Sequence, residues 1–218
     1  MRIGIIGAGN IGGNLTRRLA ALGHEVVVAN SRGPQTLEDL AEETGATVAL
    51  AAVAAEGAEL VIVTIPERAI PLLPAGILDG AEPGAPIVDT GNYYPQRDGR
   101  IAEIEEGMTE SRWVSNQLGR PVVKAFNGIL AQHLLDRGRL PGTPGRIALP
   151  VAGDDAEAKA VVMRLVDELG FDPVDAGGID DSWRQQPGTP VYGSDLDAAG
   201  VAEALRKASP ERTAEFRA

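Results

Sequence analysis

The chain alternates short, continuously apolar runs with longer stretches in which apolar residues return every three or four positions. "RIGII" at 2–6, "HEVVVAN" at 24–30, "AELVIVTIP" at 58–66, "APIVDTGN" at 85–92 and "RPVVKAFN" at 120–127 are rich in β-branched and aliphatic residues, and "TVAL" at 47–50 is a weaker run of the same kind. Runs of this kind are the mark of strands buried on both faces. Between them, "NIGGNLTRRLAALG" at 10–23 and "PQTLEDLAEETG" at 34–45 carry helical spacing. Later, "GRIALPVAG" at 145–153 and "FDPVDAG" at 171–177 flank the helical stretch "DAEAKAVVMRLVDELG" at 155–170. Gly23, Gly45 and Gly170 each follow a helical run, where a left-handed residue closes a helix. Strand–helix alternation predicts an α/β fold: a Rossmann doubly wound, mainly parallel sheet with extra C-terminal strands. It divides the chain into residues 1–178, the nucleotide-binding part with its additional strand–helix–strand, and 179–218, a loop and helical tail expected to form a substrate pocket or dimer contact. The final "SPERTAEFRA" at 209–218 is polar and is expected to fray.

Composition then removes several classes of function. The 218 residues carry a formal net charge of −11 and no concentrated basic stretch, which argues against nucleic acid as a partner. There is no cysteine, so disulfides, thiolate metal sites and cysteine nucleophiles are absent. The two histidines, His24 and His133, lie far apart, and no metal site is expected. No apolar run reaches the roughly 20 residues a membrane span needs. The opening residues are already strand and turn rather than a signal peptide, so a cytoplasmic protein with no membrane partner is expected.

The chemistry starts at Gly7-Ala8-Gly9-Asn10-Ile11-Gly12, a G-x-G-x-x-G pattern. The pattern alone is weak, but here it joins a buried strand to an amphipathic helix. Gly7 permits the tight turn, Gly9 leaves room for a pyrophosphate, and Gly12 lets helix and strand pack closely. The helix N-terminus then offers unpaired N–H groups to the phosphates. The second strand ends Asn30-Ser31-Arg32, with no acid until Glu38. NAD sites place an acid here for the ribose hydroxyls. Arg32 can instead pair with a 2′-phosphate through its planar fork, and Ser31 can donate to it, so the expected cofactor is NADP(H). The bland alternative is a surface arginine beside a helix-capping serine.

Further candidates sit at the ends of the later strands, where ligands bind in open α/β sheets. Thr64, Ile65 and Pro66 suit a wall beside the nicotinamide ribose. Thr90, Asn92 and Asn127 are short polar groups able to hold a carboxamide or ribose, although asparagines also serve as caps. Tyr93 and Tyr94 can stack or donate, or simply fill an edge. Lys124 is either a base or a strand-end charge. His133, among leucines at 130–138, is either a packed or capping residue or a general acid. His24 is expected at the surface. The stretch "DDSWRQQPGTPVYGSDLD" at 180–197 reads as an irregular loop of functional or dimer-packing character. No Tyr-x-x-x-Lys or Ser-x-x-x-Lys pair suits hydroxyl oxidation. Hydride transfer between two ring systems asks for proximity and orientation more than for a strong acid.

The segments "IGIIGAGNIGGNLTRRLAALGHEVVVANSR", "VIVTIP", "VVKAFN" and "LPVAGDDAEAKAVVMRLVDELGFDPVDAG" together resemble the NADPH-dependent coenzyme F420 reductase family (F420H2:NADP oxidoreductases). They are also similar to the cytoplasmic oxidoreductase domain of membrane metalloreductases. The likeness spans residues 1–178. It implies a homodimer that binds NADP(H) through Gly7, Gly9, Asn10, Ile11, Gly12, Ser31 and Arg32. It further implies coenzyme F420 or a flavin laid against the nicotinamide near Pro66, Asn92 and Asn127. Asn127 stands where the deazaflavin enzymes tend to carry a histidine and matches the metalloreductase domain instead. Asn127 and His133 are the catalytic candidates. Two other readings stay open: an NADPH-dependent reductase of a small carbonyl or imine, with Tyr94, His133 or Tyr192 as proton donor, and a non-catalytic NADP(H) sensor.

Overall fold

A computed structural model describes residues 1–218. Strands β1 (Arg2–Ile6), β2 (Glu25–Ala29), β3 (Thr47–Ala49), β4 (Leu60–Val63), β5 (Ile87–Asp89) and β6 (Val123–Lys124) pair in parallel in the order β3-β2-β1-β4-β5-β6. This is the doubly wound Rossmann order, and the direction of winding reverses between β1 and β4. Alternate residues of the central strands feed opposite faces. Ile3, Ile5, Val26, Val28, Leu60 and Ile62 enter one core, and Ile6, Val27, Val61 and Val63 enter the other. That two-sided burial is the reason these strands read as unbroken apolar runs.

Helix α1 (Asn10–Ala21) follows β1 and buries Leu15 and Leu19 in the first core. Helix α2 (Glu38–Thr44) follows β2 and closes on Gly45 in the left-handed region. The chain between β5 and β6, for which the hydrophobic pattern predicts no element, forms α3 (Pro95–Asp98), α4 (Ala102–Glu105) and α5 (Glu110–Leu118). The first two are single turns and too short to show a period. The third is started by the Thr109 side chain, which accepts from Arg112 N. After β6, α6 (Ala131–Asp136) packs on α1, and Asn14 Nδ2 donates to Ala131 O at 2.7 Å.

The two extra strands stand apart from the six. β7 (Ala148–Val151) and β8 (Asp172–Asp175) pair in parallel with each other around helix α7 (Ala156–Glu168). Helix α8 (Ala198–Lys207) covers that pair through Val201, Ala204 and Leu205. The small sheet meets the large one at a single antiparallel bridge. Lys124 N donates to Ala152 O at 2.8 Å and Ala152 N to Lys124 O at 3.1 Å. Leu149, Val151, Val162, Leu165 and Phe171 nevertheless share a core with β1 and α1. No helix is long and apolar enough to cross a membrane.

Two expectations change. The polar tail docks instead of fraying: Arg212 Nη2 donates to buried Glu110 Oε1 at 2.5 Å, and Phe216 lies 6.0 Å from the Tyr94 ring. The partners of these residues lie about a hundred positions away, so local polarity carries no sign of them. His24 is covered rather than superficial, its side chain 8% exposed and its Nε2 3.3 Å from Glu168 Oε2.

Candidate active site

The glycine-rich turn follows from local sterics. Gly7 has φ +112°, and a Cβ there would stand 2.2 Å from Thr64 O. A Cβ at Gly12 would stand 2.0 Å from Gly7 O. Both positions exclude a side chain, because backbone atoms already occupy the space. At Gly9 a Cβ would meet nothing within 4 Å. The room at Gly9 is therefore on the open side of the turn, where a ligand approaches. Gly9 is also the N-cap residue of α1, and the first turn of that helix holds no acidic side chain. Asn10, Ile11 and Gly12 form that turn. The geometry fits a pyrophosphate.

A cleft of about 470 Å³ opens beside this turn, lined among others by Gly7, Gly9, Asn30, Ser31, Arg32, Thr64, Ile65 and Pro66. Asn30 is committed to the turn: its Oδ1 accepts from Arg32 N at 2.9 Å, and its Nδ2 donates to Thr36 Oγ1 at 2.8 Å. It shapes the loop that carries Arg32. The exposed guanidinium of Arg32 makes no ion pair with the chain, in contrast to Arg2, Arg17, Arg97, Arg112 and Arg146. The cleft thus ends in an uncommitted cation at the strand end where NAD sites carry an acid. A larger concavity, about 720 Å³, lies elsewhere, between the Trp183 region and the tail. It does not include the glycine turn or any strand end, so the smaller cleft is the nucleotide candidate.

Asn92 and Asn127 come together at the next strand ends, along with a residue from the late loop. Asn92 Nδ2 donates to Asn127 O at 2.9 Å, and Asn127 Nδ2 donates to Asn92 Oδ1 at 3.0 Å and Gln185 O at 2.7 Å. Gln185 Nε2 returns a bond to Asn127 Oδ1 at 3.0 Å. Both amide hydrogens of Asn127 are therefore in use, and only a lone pair on Oδ1 remains. Phe126, just before it, is the one non-glycine residue with positive φ (62°). A buried residue held there costs of order 1–3 kcal/mol, and such strain clusters at working sites. Thr90 is 5% exposed and hydrogen-bonds back to Val63 O through its backbone N at 3.2 Å. His133 does not join this group. Its Nδ1 lies 2.8 Å from Asp195 Oδ1, which ties α6 to the segment before α8.

Below Pro66 and Asn92 lies a buried ionic cluster that the sequence did not announce. Lys124 Nζ pairs with Asp89 Oδ2 at 3.1 Å and donates to Gly91 O at 2.6 Å. Burial works against the Lys124 charge, but Asp89, Glu110 and Glu67 outweigh it and hold its pKa above the ordinary lysine value. Lys124 is thus a fixed structural cation. Arg97 Nη2 donates to Glu67 Oε2 at 2.9 Å and to Asn92 O at 2.5 Å. Burial pushes the Glu67 carboxyl well above the usual carboxylate range. Glu110, Asp89 and Asp98 push the same way and Lys124 opposes them. The partners of Glu67 come from four different segments, so no local pattern in the sequence marks this group.

Residues 2–93 match the family model "NADP oxidoreductase coenzyme F420-dependent". The Escherichia coli (strain K12) protein YjhV is 53% identical over 73 residues, which are 33% of this chain and 53% of YjhV, so the match spans about half of that relative. The structure of the hypothetical protein SMa0349 from Sinorhizobium meliloti is 30% identical, with 89% of this chain and 93% of that one covered and a TM-score of 0.73. An Arthrobacter sp. FB24 protein, whose name assigns it as an F420-dependent NADP reductase, is 29% identical over 84% of this chain and 87% of its own, with a TM-score of 0.68. The glycine turn, the uncommitted arginine and these likenesses agree on an NADP-dependent oxidoreductase whose residues 2–93 match the coenzyme F420-dependent NADP oxidoreductase family.

Proposed function

We propose that this NADP-dependent oxidoreductase transfers a hydride between nicotinamide and a deazaflavin or flavin-like acceptor. The observation that carries the NADP(H) half is Arg32: an unpaired guanidinium at the cleft, on the strand end where an acid would repel a 2′-phosphate. Gly7, Gly9, Asn10, Ile11 and Gly12 would hold the pyrophosphate, and Ser31 and Arg32 the 2′-phosphate. Thr64, Ile65 and Pro66 would line the ribose. The bound nicotinamide supplies hydride chemistry. The protein's own part is to orient two rings and exclude water. The Asn92–Asn127–Gln185 network fixes the strand ends against the late loop, with Asn127 proposed to act at the acceptor and Thr90 to help hold the carboxamide or ribose, while His133, paired with Asp195, serves to position the segment before α8. The proposal includes a homodimer in the cytoplasm, with small molecules as its substrates.

Stopped-flow mixing of NADPH-loaded protein with oxidised F420, and in parallel with FMN, tests this directly. Rapid loss of NADPH absorbance with matching deazaflavin or flavin reduction is expected. Tight NADPH binding with no oxidation by either acceptor would remove the deazaflavin and flavin. A small carbonyl or imine acceptor would then stand first, favoured by one specific observation, the pairing of Tyr94 with Tyr192.

A further inference from the structure

Tyr94 and Tyr192 lie 98 positions apart, and their hydroxyls are hydrogen-bonded to each other. Tyr94 sits two residues beyond Asn92. Tyr192 packs over Gly128, the neighbour of Asn127, with its ring 3.9 Å from where a Gly128 Cβ would stand. Gly193 N donates to Gly128 O at 2.8 Å and pins the late loop there. The pair therefore closes the same corner that Asn92, Asn127 and Gln185 organise.

Two phenols carry two hydroxyl hydrogens. One lies in the bond between them, and neither oxygen makes another hydrogen bond within the chain. One O–H is therefore free to donate to a ligand. Both residues are half-buried. Around Tyr94 stand the Arg97 guanidinium, 5.0 Å from its ring centroid, the Phe216 ring and the Glu110 carboxylate on α5. Burial and then the Tyr192 hydroxyl push the Tyr94 pKa upward, with Arg97 opposing and Glu110 assisting. Tyr94 is thereby held in its protonated form and is a donor, not a base.

We propose that the Tyr94–Tyr192 pair donates the proton that accompanies hydride transfer, and that the acceptor carries a C=N or C=O group conjugated to the carbon that takes the hydride. The proposal rests on the hydride-transfer reading above. In the step, NADPH gives two electrons and one hydrogen to the acceptor carbon. The π bond shifts to the heteroatom, which takes the free hydroxyl proton, and the phenolate regains a proton from water through its partner. NADP⁺ and the reduced acceptor leave.

The test compares wild type, Tyr94→Phe, Tyr192→Phe and the double variant. NADPH affinity by fluorescence should stay within about twofold of wild type, which also reports an intact fold. Binding of oxidised F420 to NADP⁺-loaded protein, read by deazaflavin fluorescence, should weaken several-fold when one donor hydrogen bond is lost. Single-turnover hydride transfer should fall about 10²-fold in at least one single variant, with the wild-type solvent deuterium isotope effect changed. The double variant should lose far less than the product of the singles, because the hydroxyls act as one unit. Single variants within twofold of wild type in both acceptor binding and hydride transfer would overturn the pair and leave the hydride reading standing. A wild type that oxidises NADPH with none of F420, FMN, a small carbonyl or a small imine would overturn both.

Discussion

Gly9 and Gly12 are three residues apart and answer to different demands. A side chain at Gly12 collides with the Gly7 carbonyl, 2.0 Å from the would-be Cβ, whereas one at Gly9 enters open space. Gly12→Val should therefore destabilise the chain itself, by about 3 kcal/mol or more, since a buried backbone contact cannot yield as a flexible side chain does. Gly9→Val should fold normally and lose NADPH binding by tenfold or more. Thermal melts of the unliganded variants beside NADPH titrations separate the two effects. Equal stability loss in both would mean that the Gly9 opening is not a ligand approach. At this scale the sequence pattern was readable, because G-x-G-x-x-G encodes backbone crowding that is local to one turn. Asn30 was readable only as a cleft residue. That its amide is bound to Thr36 depends on how the loop folds back.

Between elements, the decisive feature is the ionic cluster where the turn after β4, the loop after β5, α5 and the tail converge. Four carboxylates, Glu67, Asp89, Asp98 and Glu110, face three cations, Lys124, Arg97 and Arg212, so one proton brings the group to neutrality. Glu67 Oε1 and Glu110 Oε2 make no hydrogen bond, which fits a proton held on Glu67. A folded-state pKa above the unfolded value means that the native protein keeps a proton the unfolded chain releases. Stability from this group is full below the unfolded glutamate pKa of about 4.3 and is lost as pH rises through the folded value. Glu67→Gln, neutral at every pH, should flatten that decline. Its melting temperature should gain on wild type toward alkaline pH and show no gain under acid conditions. Parallel pH profiles for the two proteins would show that Glu67 is ionised in the fold. None of this is legible in sequence, because each acid reads alone as a surface charge.

For the whole molecule, NADPH binding should stabilise the fold as a unit. A ligand that binds only the native state at a hundred times its dissociation constant adds about 2.7 kcal/mol. For a chain of this size that is roughly 5–10 °C in melting temperature. NADPH should give a shift of this kind and NADH at equal concentration a smaller one. In Arg32→Ala the NADPH shift should fall to the NADH level, with affinity for NADPH reduced at least tenfold and for NADH little changed. Equal losses for both cofactors would show that Arg32 does not read the 2′-phosphate.

By itself, the sequence determined the parts whose causes are local or periodic. Two-sided burial writes itself as unbroken apolar runs, so the central strands, α1 and α7 were all readable, and with them the Rossmann class. Backbone crowding fixed the glycine turn, and the absence of an acid after β2 fixed the expected cofactor. Tertiary structure decided everything that needs partners from distant segments. It set β7 and β8 apart as their own small sheet, because their hydrogen-bond partners are each other and only Ala152 reaches Lys124. It docked a polar tail by giving Arg212 a buried acid to meet. It joined Asn92 to Asn127 and Tyr94 to Tyr192, contacts that no spacing along the chain encodes, because they exist only once β5, β6 and the late loop share one edge of the sheet.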